Sequence, residues 1–318
     1  MGPHMFVEVN QALERIRVTG WLNSSEWPTS AQISPADVDL SEAEGRLFRA
    51  TPADEMDLER LDGLARLAGL ELAIEHYPVI DSTNRLLMQR MQAEPTGNLL
   101  VVCDYQRAGR GRRGRQWISP YARSLAFSYA HASCKALHEL GGLSCVVGLA
   151  VLDVLIDLGV EGARLKWPND VWIQGSKLAG ILVELANRGS STIAVIGLGM
   201  NIALTPEERA AVDQPIADLL SRGVAVDRNS LLMAFVEKMA SYLRHFEHSG
   251  FEAFRSAFDA VHLLHRRDVV VHSATEGKSL LTHGSVEGVG GSGQLLIRTS
   301  RGLEEMLGGE VSLRPADY

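Results

Sequence analysis

Between Arg164 and Leu185 the chain reads Arg164-Leu-Lys-Trp167, a Pro-Asn-Asp turn, Val171-Trp-Ile173, a Gln-Gly-Ser turn, then Lys177 to Leu185. Tight polar turns between such short apolar stretches leave no room for a crossover helix, so these strands must pair as antiparallel hairpins and not as βαβ units. Leu99-Leu-Val-Val-Cys103, Ser124 to Tyr129 and Thr192 to Ile196 read as further strands. Leu140 to Leu158, Ser230 to Glu247 and Phe251 to Phe258 read as helices. Hairpins mixed with separate helices predict an α+β fold: a mixed, largely antiparallel sheet with helices mainly on one face.

The flanks differ. From Met5 to about Leu70 the chain is acidic and punctuated by Ser24, Ser34-Pro35, Ser41 and Thr51-Pro52, which suggests a short helical region. After Leu264 the runs Asp268-Val-Val-Val-His272, Gly284-Ser-Val-Glu-Gly288, Leu295-Leu-Ile-Arg298 and Glu310-Val-Ser-Leu-Arg314 alternate with turns, Gly290-Gly-Ser-Gly293 being a hairpin loop. About five short strands in so few residues predict a small SH3-like β-barrel. The expected division is 5–70, 71–264 and 265–318.

With 318 residues and 46% apolar content the chain can bury a large core. Its net charge of −8 argues against non-specific coating of nucleic acid. Cys103, Cys134 and Cys145 lack C-x-x-C spacing and read as buried, reduced thiols of a cytoplasmic protein. Histidines at scattered positions make a structural metal site an unattractive reading. Leu143 to Ile156 is apolar but interrupted by Asp153 and too short for a bilayer, so a core helix and no membrane association are expected. Met1-Gly-Pro-His4 reads as a cloning remnant, with Met5 as the natural start.

One loop stands apart. Arg107 to Arg115 holds five arginines and three glycines with no acid. Glycines let backbone close around a ligand, and arginine forks match carboxylate and phosphate oxygens. Gly109-Arg-Gly-Arg-Arg-Gly114 fits G-x-G-x-x-G in form, but that fingerprint must open a helix, and Arg115-Gln-Trp-Ile-Ser-Pro120 does not. A kinase glycine loop fails for want of H-R-D and D-F-G sequences. An RGG-type nucleic-acid segment would extend over many repeats. A plain solvated loop would leave clustered cations repelling one another without an anion. Two isolated lysines downstream, Lys166 and Lys177, add point charges.

These residues carry a family resemblance. Val79-Ile-Asp-Ser-Thr-Asn84, Tyr105-Gln-Arg-Ala-Gly-Arg-Gly-Arg-Arg-Gly-Arg-Gln-Trp117, Lys166-Trp-Pro-Asn-Asp170, Lys177-Leu-Ala-Gly-Ile-Leu-Val-Glu184 and Gly197-Leu-Gly-Met-Asn-Ile202 resemble, in order and spacing, the biotin protein ligases. The likeness covers about residues 71–318, including Gly308-Gly-Glu-Val-Ser-Leu-Arg314. It implies a class II synthetase-like catalytic fold and ATP-dependent formation of biotinyl-5'-AMP. The biotinyl group would then pass to a lysine of the biotin carboxyl carrier protein of acetyl-CoA carboxylase. Lipoate ligation is the related alternative.

By that resemblance Lys177 and Arg112 are the catalytic pair. Ser82, Thr83, Asn84 and Gln106 would meet the ureido ring, for which hydroxyls and amides supply both donors and acceptors; Asp81-Ser-Thr-Asn equally suits a helix N-cap. Arg110, Gly111 and Arg112 would close over the bound biotin, in a loop expected to be mobile when empty. Gly180 and Leu182, alternating on one strand face, would line the bicyclic pocket. Arg113, Arg115, Lys166, Asn169, Asp170 and Asn201 would serve ATP, with Asp170 also a candidate for Mg²⁺, although a tight turn explains Pro-Asn-Asp as well. Trp117 reads as a packing anchor.

Some family members dimerise, and some carry an N-terminal winged helix-turn-helix and repress transcription. Here Leu13 to Leu22 suits a first helix, Ser24-Ser-Glu26 a second cap, and Ser34-Pro-Ala-Asp-Val38 the start of a recognition helix. That helix would present Asp37, Asp39, Glu42 and Glu44, with no lysine between Met5 and Leu70. Carboxylates facing phosphates repel, so DNA binding is not expected and a degenerate remnant is.

Overall fold

The computed structural model describes residues 6–30, 32–49, 53–94, 97–188, 191–275, 278–307 and 311–315. Thr51-Pro52 and Gly308-Gly-Glu310, used above, lie outside them. The amino-terminal elements are α1 (Val7–Thr19), β1 (Trp21–Asn23), β2 (Ser41–Ala43), β3 (Arg46–Phe48) and α2 (Leu58–Leu67). Next come β4 (Ala73–Ile80), α3 (Thr83–Ala93), β5 (Leu99–Gln106), β6 (Ser124–Ser133), α4 (Leu143–Asp157), β7 (Ala163–Lys166) and β8 (Asp170–Ile173). They are followed by β9 (Ser176–Arg188), β10 (Ser191–Asn201), α5 (Pro206–Ala210), α6 (Arg228–Ser249) and α7 (Arg255–Val261). The tail holds β11 (Asp268–Thr275), β12 (Lys278–Val289), β13 (Leu295–Thr299), β14 (Gly302–Met306) and β15 (Val311–Pro315). The chain packs as two compact units, Met1–Ser133 with Leu178–Glu237, and Cys134–Lys177 with Lys238–Tyr318.

In the first unit the strand order is β4-β5-β6-β10-β9. Only β4 and β5 run parallel; β5, β6, β10 and β9 pair antiparallel, as the mixed, largely antiparallel expectation requires. Helix α3 buries Leu86, Leu87 and Met91 against Val101, Cys103, Ala126, Ala130, Ala186 and Val195. Burial pushes the Cys103 thiol far up, which leaves it protonated and inert. Cys145 is buried too, but Cys134 is exposed, contrary to expectation; all three are free.

The amino-terminal region departs from the sequence reading. Its first helix is α1, not Leu13 to Leu22, because Gly20 in the left-handed region ends it and Trp21 starts a strand. Ser24–Glu26 and Pro35–Val38 are single 3-10 turns. The Ser34 hydroxyl caps Asp37 as a helix start would, but Asp39 turns left-handed and stops it. No recognition helix forms; Glu42 sits in β2, within a three-stranded antiparallel sheet ordered β1-β3-β2. The stripe Val9, Ala12, Leu13 and Ile16 on α1 packs in one core with Leu22, Val38, Leu47, Val79 and Tyr121.

In the second unit α4 is a core helix with Leu143, Val146, Val147, Ala150, Val151, Val154 and Leu155 all buried. Together with the preceding turn, Leu137–Asp157 is long and apolar enough to cross a membrane by length and composition. Gly142, at φ 76°, breaks that stretch and leaves α4 itself with 15 residues, or roughly 22 Å, short of a bilayer core. The tail forms a five-stranded antiparallel sheet, β14-β13-β12-β11-β15, matching the small β domain expected. The sequence reading missed β14.

His262 is buried beside Phe258, and neither ring nitrogen has a hydrogen-bond partner. Burial, reinforced by His265 and Lys166, pushes its pKa down to about 3. The unfolded chain therefore takes up this proton below about pH 6.5, while the fold refuses it. Stability is full above that value and declines progressively as pH falls toward about 3. Replacing His262 by Leu should flatten the fall in urea midpoint between about pH 6.5 and pH 5; an unaltered slope would remove His262 as its source.

Candidate active site

The arginine-glycine loop leaves β5 along a path set by backbone bonds, Arg107 N to Ile80 O at 2.9 Å and Ala108 N to Asp81 O at 3.0 Å. It then folds on itself: Gly111 N donates to Arg115 O at 2.7 Å and Trp117 N to Gly109 O at 2.9 Å. Its tip is a 3-10 turn, Arg112–Gly114, in which Arg113 is left-handed at φ 59°. No helix follows, so the dinucleotide reading stays excluded. Nor is an external anion the only partner for the arginines. Arg107 Nη2 lies 2.8 Å from Asp81 Oδ1, and Arg110 Nη2 lies 3.1 Å from Glu184 Oε1.

At the start of α3, Ser82 is the N-cap, its hydroxyl accepting from Arg85 N at 3.4 Å. The next two residues are buried and join a polar network, so capping and recognition are compatible. Thr83 donates to Gln106 Oε1 from its amide at 3.0 Å. Ser128 Oγ lies 2.8 Å from Thr83 Oγ1 and 2.6 Å from Asn84 Oδ1. Asn84 Nδ2 donates to Glu184 Oε2 at 2.9 Å.

The sheet beneath is built of small residues. Ser128, Gly197 and Leu182 stand in register across β6, β10 and β9, and so do Ala126, Gly199 and Gly180. Gly180 and Leu182 therefore share a face, as expected. A methyl on Gly197 would overlap Asn84 Oδ1, and one on Gly199 would enter the Trp117 ring. Trp117 packs on that glycine, consistent with an anchor. The sequence reading missed Ser128, Glu184, Gly197 and Gly199 as site residues. Their signal was present as polar or side-chain-free positions flanked by apolar residues within strands.

In the second unit the two lysines are not isolated. Lys177 Nζ lies 2.8 Å from Asp170 Oδ1, and Lys166 Nζ sits 4.4 Å from the Trp172 ring centroid. The Pro-Asn-Asp turn between β7 and β8 is closed by Asn169 N to Lys166 O at 3.2 Å and contains a cis Trp167–Pro168 bond. Ser144 Oγ and Trp167 Nε1 hold it, bonding to Pro168 O at 3.0 Å and Gly293 O at 2.9 Å.

Ser82, Thr83, Asn84, Gln106, Arg110, Gly180 and Leu182 thus gather in the first unit, with Gly111, Arg112, Arg113 and Arg115 on its loop. Asn201 is at the end of β10, where its Nδ2 donates to Ala217 O at 3.0 Å. For Mg²⁺ the chain offers little by itself. Asp170 is already paired, and no group of three His, Cys, Asp or Glu converges among the described residues. One carboxylate would suffice only with phosphates completing the shell. Chemically, the network suits a neutral polar ring that both donates and accepts, and the loop beside it suits an anion.

The family model described as "Biotin/lipoate A/B protein ligase family" matches residues 76–201. The chain is 35% identical over 255 residues to the bifunctional ligase/repressor BirA of Escherichia coli, covering 80% of this chain and 77% of that protein. It is 32% identical over 240 residues to a biotin–[acetyl-CoA-carboxylase] ligase of Paracoccus denitrificans, covering 73% of this chain and 96% of that one. Among solved structures it resembles the biotin protein ligase of Aquifex aeolicus in complex with biotin and ATP. The TM-score is 0.63 at 27% identity, over 77% of this chain and 99% of that one.

Proposed function

Because this chain belongs to the biotin protein ligase family, we propose that it activates biotin with ATP and transfers it to a lysine of the biotin-accepting carrier of acetyl-CoA carboxylase. The observation that carries this reading is the Thr83–Asn84–Gln106–Ser128 network over a glycine-rich sheet face, beside a loop of arginines. Ser82, Thr83, Asn84 and Gln106 hold the ureido ring, and Gly180 and Leu182 leave room for the bicycle.

A carboxylate does not acylate an amine at neutral pH, because oxide leaves poorly. A biotin carboxylate oxygen attacks the α-phosphorus of ATP, the bond to the β-phosphate breaks, and pyrophosphate departs. The target lysine nitrogen then attacks the acyl carbon and AMP leaves with the bonding pair. The protein's task is to hold two anions together and offset charge growing on phosphate. Lys177 and Arg112 carry that role, with Arg110 and Gly111 closing the loop over biotin. Arg113, Arg115, Lys166, Asn169, Asp170 and Asn201 hold ATP. Mg²⁺, brought with the phosphates, would rest on Asp170 and neutralise phosphate charge.

Pyrophosphate release titrated with biotin and with lipoate tests the reading. Release should saturate with biotin only; release without biotin dependence would end it. Gly197→Ala, which pushes Asn84 aside, should weaken biotin affinity by about 10-fold, the scale of overpacking by one methyl. Unaltered affinity would take Asn84 out of the biotin contacts.

The relative named a ligase/repressor raises a second role. The amino-terminal region favours the ligase role alone, because 3-10 turns stand where a recognition helix would start and acids surround them. Residues 5–70 are then a degenerate helix-turn-helix-like region serving the catalytic core. A gel shift with biotinyl-5'-AMP-loaded protein on operator DNA at stated salt should show no specific band.

A further inference from the structure

Glu184 takes no part in the roles assigned so far, yet it joins the two halves of the biotin site. One carboxylate oxygen accepts from Arg110 Nη2 at 3.1 Å; the other accepts from Asn84 Nδ2 at 2.9 Å. Arg110 belongs to the arginine-glycine loop and Asn84 to the first turn of α3, while Glu184 stands on β9, half-buried between Val183 and Leu185. We propose that Glu184 is a positioning residue for biotin: it fixes which way the Asn84 amide points and pins the loop through Arg110.

The amide argument follows from donor counting. A carboxylate only accepts, so the atom of Asn84 facing it must be the NH₂ group. That leaves Oδ1 facing Ser128, whose single hydroxyl proton goes to this pure acceptor at 2.6 Å. Ser128 then has only lone pairs to offer Thr83 Oγ1, 2.8 Å away, and the Thr83 proton turns toward Ser128 or Gln106. This one partly buried anion therefore sets the polarity of the Asn84 amide and the Ser128 hydroxyl. Without it the Asn84 amide rests on the longer bond from Nδ2 to Leu182 O, 3.4 Å, and is held less firmly in the orientation it presents to a urea. Gly197 supports the same geometry, since any side chain there would displace Asn84 Oδ1.

The loop argument is electrostatic. The Glu184 side chain is 23% exposed and that of Arg110 40%, so their attraction is partly screened and its loss frees the loop without unfolding the core. Arg110 is then a tether between loop and sheet before any ligand arrives.

The biotin half of this inference rests on the ligase reading; the tether half does not. The test uses the full chain with Glu184→Gln and, as a second variant confined to the outer arm, Arg110→Met. Trypsin cleavage after Arg112, Arg113 and Arg115, followed by mass spectrometry without ligand, reports the tether. Both variants should be cut several-fold faster than the parent there and equally elsewhere. Biotin KM should rise about 10-fold in Glu184→Gln, far more than kcat falls. Equal loop cleavage in all three proteins overturns the tether. A biotin KM in Glu184→Gln equal to the parent's overturns the role toward Asn84. If the parent itself binds no biotin, the ligase reading fails, while the cleavage rates still decide the tether.

Discussion

An enzyme carrying Lys177→Ala will form biotinyl-5'-AMP at least about 100-fold more slowly than the parent, the scale on which one lost charge stabiliser acts. Lys177 is well placed for the role. Its side chain is 15% exposed and 2.8 Å from Asp170 Oδ1, so the ammonium is held at the start of β9 in a position where water screens it weakly. In the proposed role the charge would be offered to oxygens that become more negative as the α-phosphorus adds a fifth ligand, so the effect should fall on rate more than on biotin affinity. Single-turnover pyrophosphate release separates the two. An unchanged adenylation rate would remove Lys177 from the mechanism. A loss confined to biotin affinity would recast it as a binding group.

The second large effect concerns stability. Arg228 is fully buried at the start of α6; it bonds to Ser124 O at 3.0 Å and Asp104 Oδ1 at 2.9 Å, and also reaches Asp54 O. Asp104 in turn accepts from Met56 N at 3.1 Å and meets His76 Nε2 at 2.6 Å. This cluster fastens the segment after the amino-terminal sheet to β4, β5 and α6. Burial alone would raise the Asp104 carboxyl, but His76 and Arg228 more than reverse that and hold it below the usual carboxylate value. Its contribution is therefore present above about pH 3.9 and lost as pH falls through the lower folded value. Arg228→Met leaves a buried carboxylate with half its compensation and should cost about 3–5 kcal/mol, read as a lower urea midpoint. Adding Asp104→Asn should restore part of it, because the orphaned charge is gone. A midpoint unmoved by Arg228→Met would mean that the cluster contributes nothing net.

Much of the fold was legible because it is written in short-range chemistry. Polar turns too short for a crossover dictated the β7–β8 hairpin and its neighbours, and the apolar run at Leu143 dictated a core helix. The arginine-glycine loop was legible as a candidate ligand site from its composition alone. The amino-terminal region was misread where the decision is not local. Ser34-Pro35 is a genuine helix start, but the pull of Val38 and Leu40 into the core around α1 ends it after one turn. Likewise, the sequence reading assigns the arginines an outside anion because Asp81 and Glu184 are distant in sequence, and only folding brings them to Arg107 and Arg110.

Sequence by itself determined the α+β class and the family, and singled out one loop as a candidate ligand site, because turns, strand periodicity and a loop of one charge act over a few neighbours. Tertiary structure alone decided that Ser128 and Glu184 orient Asn84, that Gly197 and Gly199 keep space for Asn84 and Trp117, and that Arg228 closes the core. Those are pairings across strands and helices, set by register and burial, and hydrogen-bond polarity depends on which atoms meet and not on which residues are near in the chain.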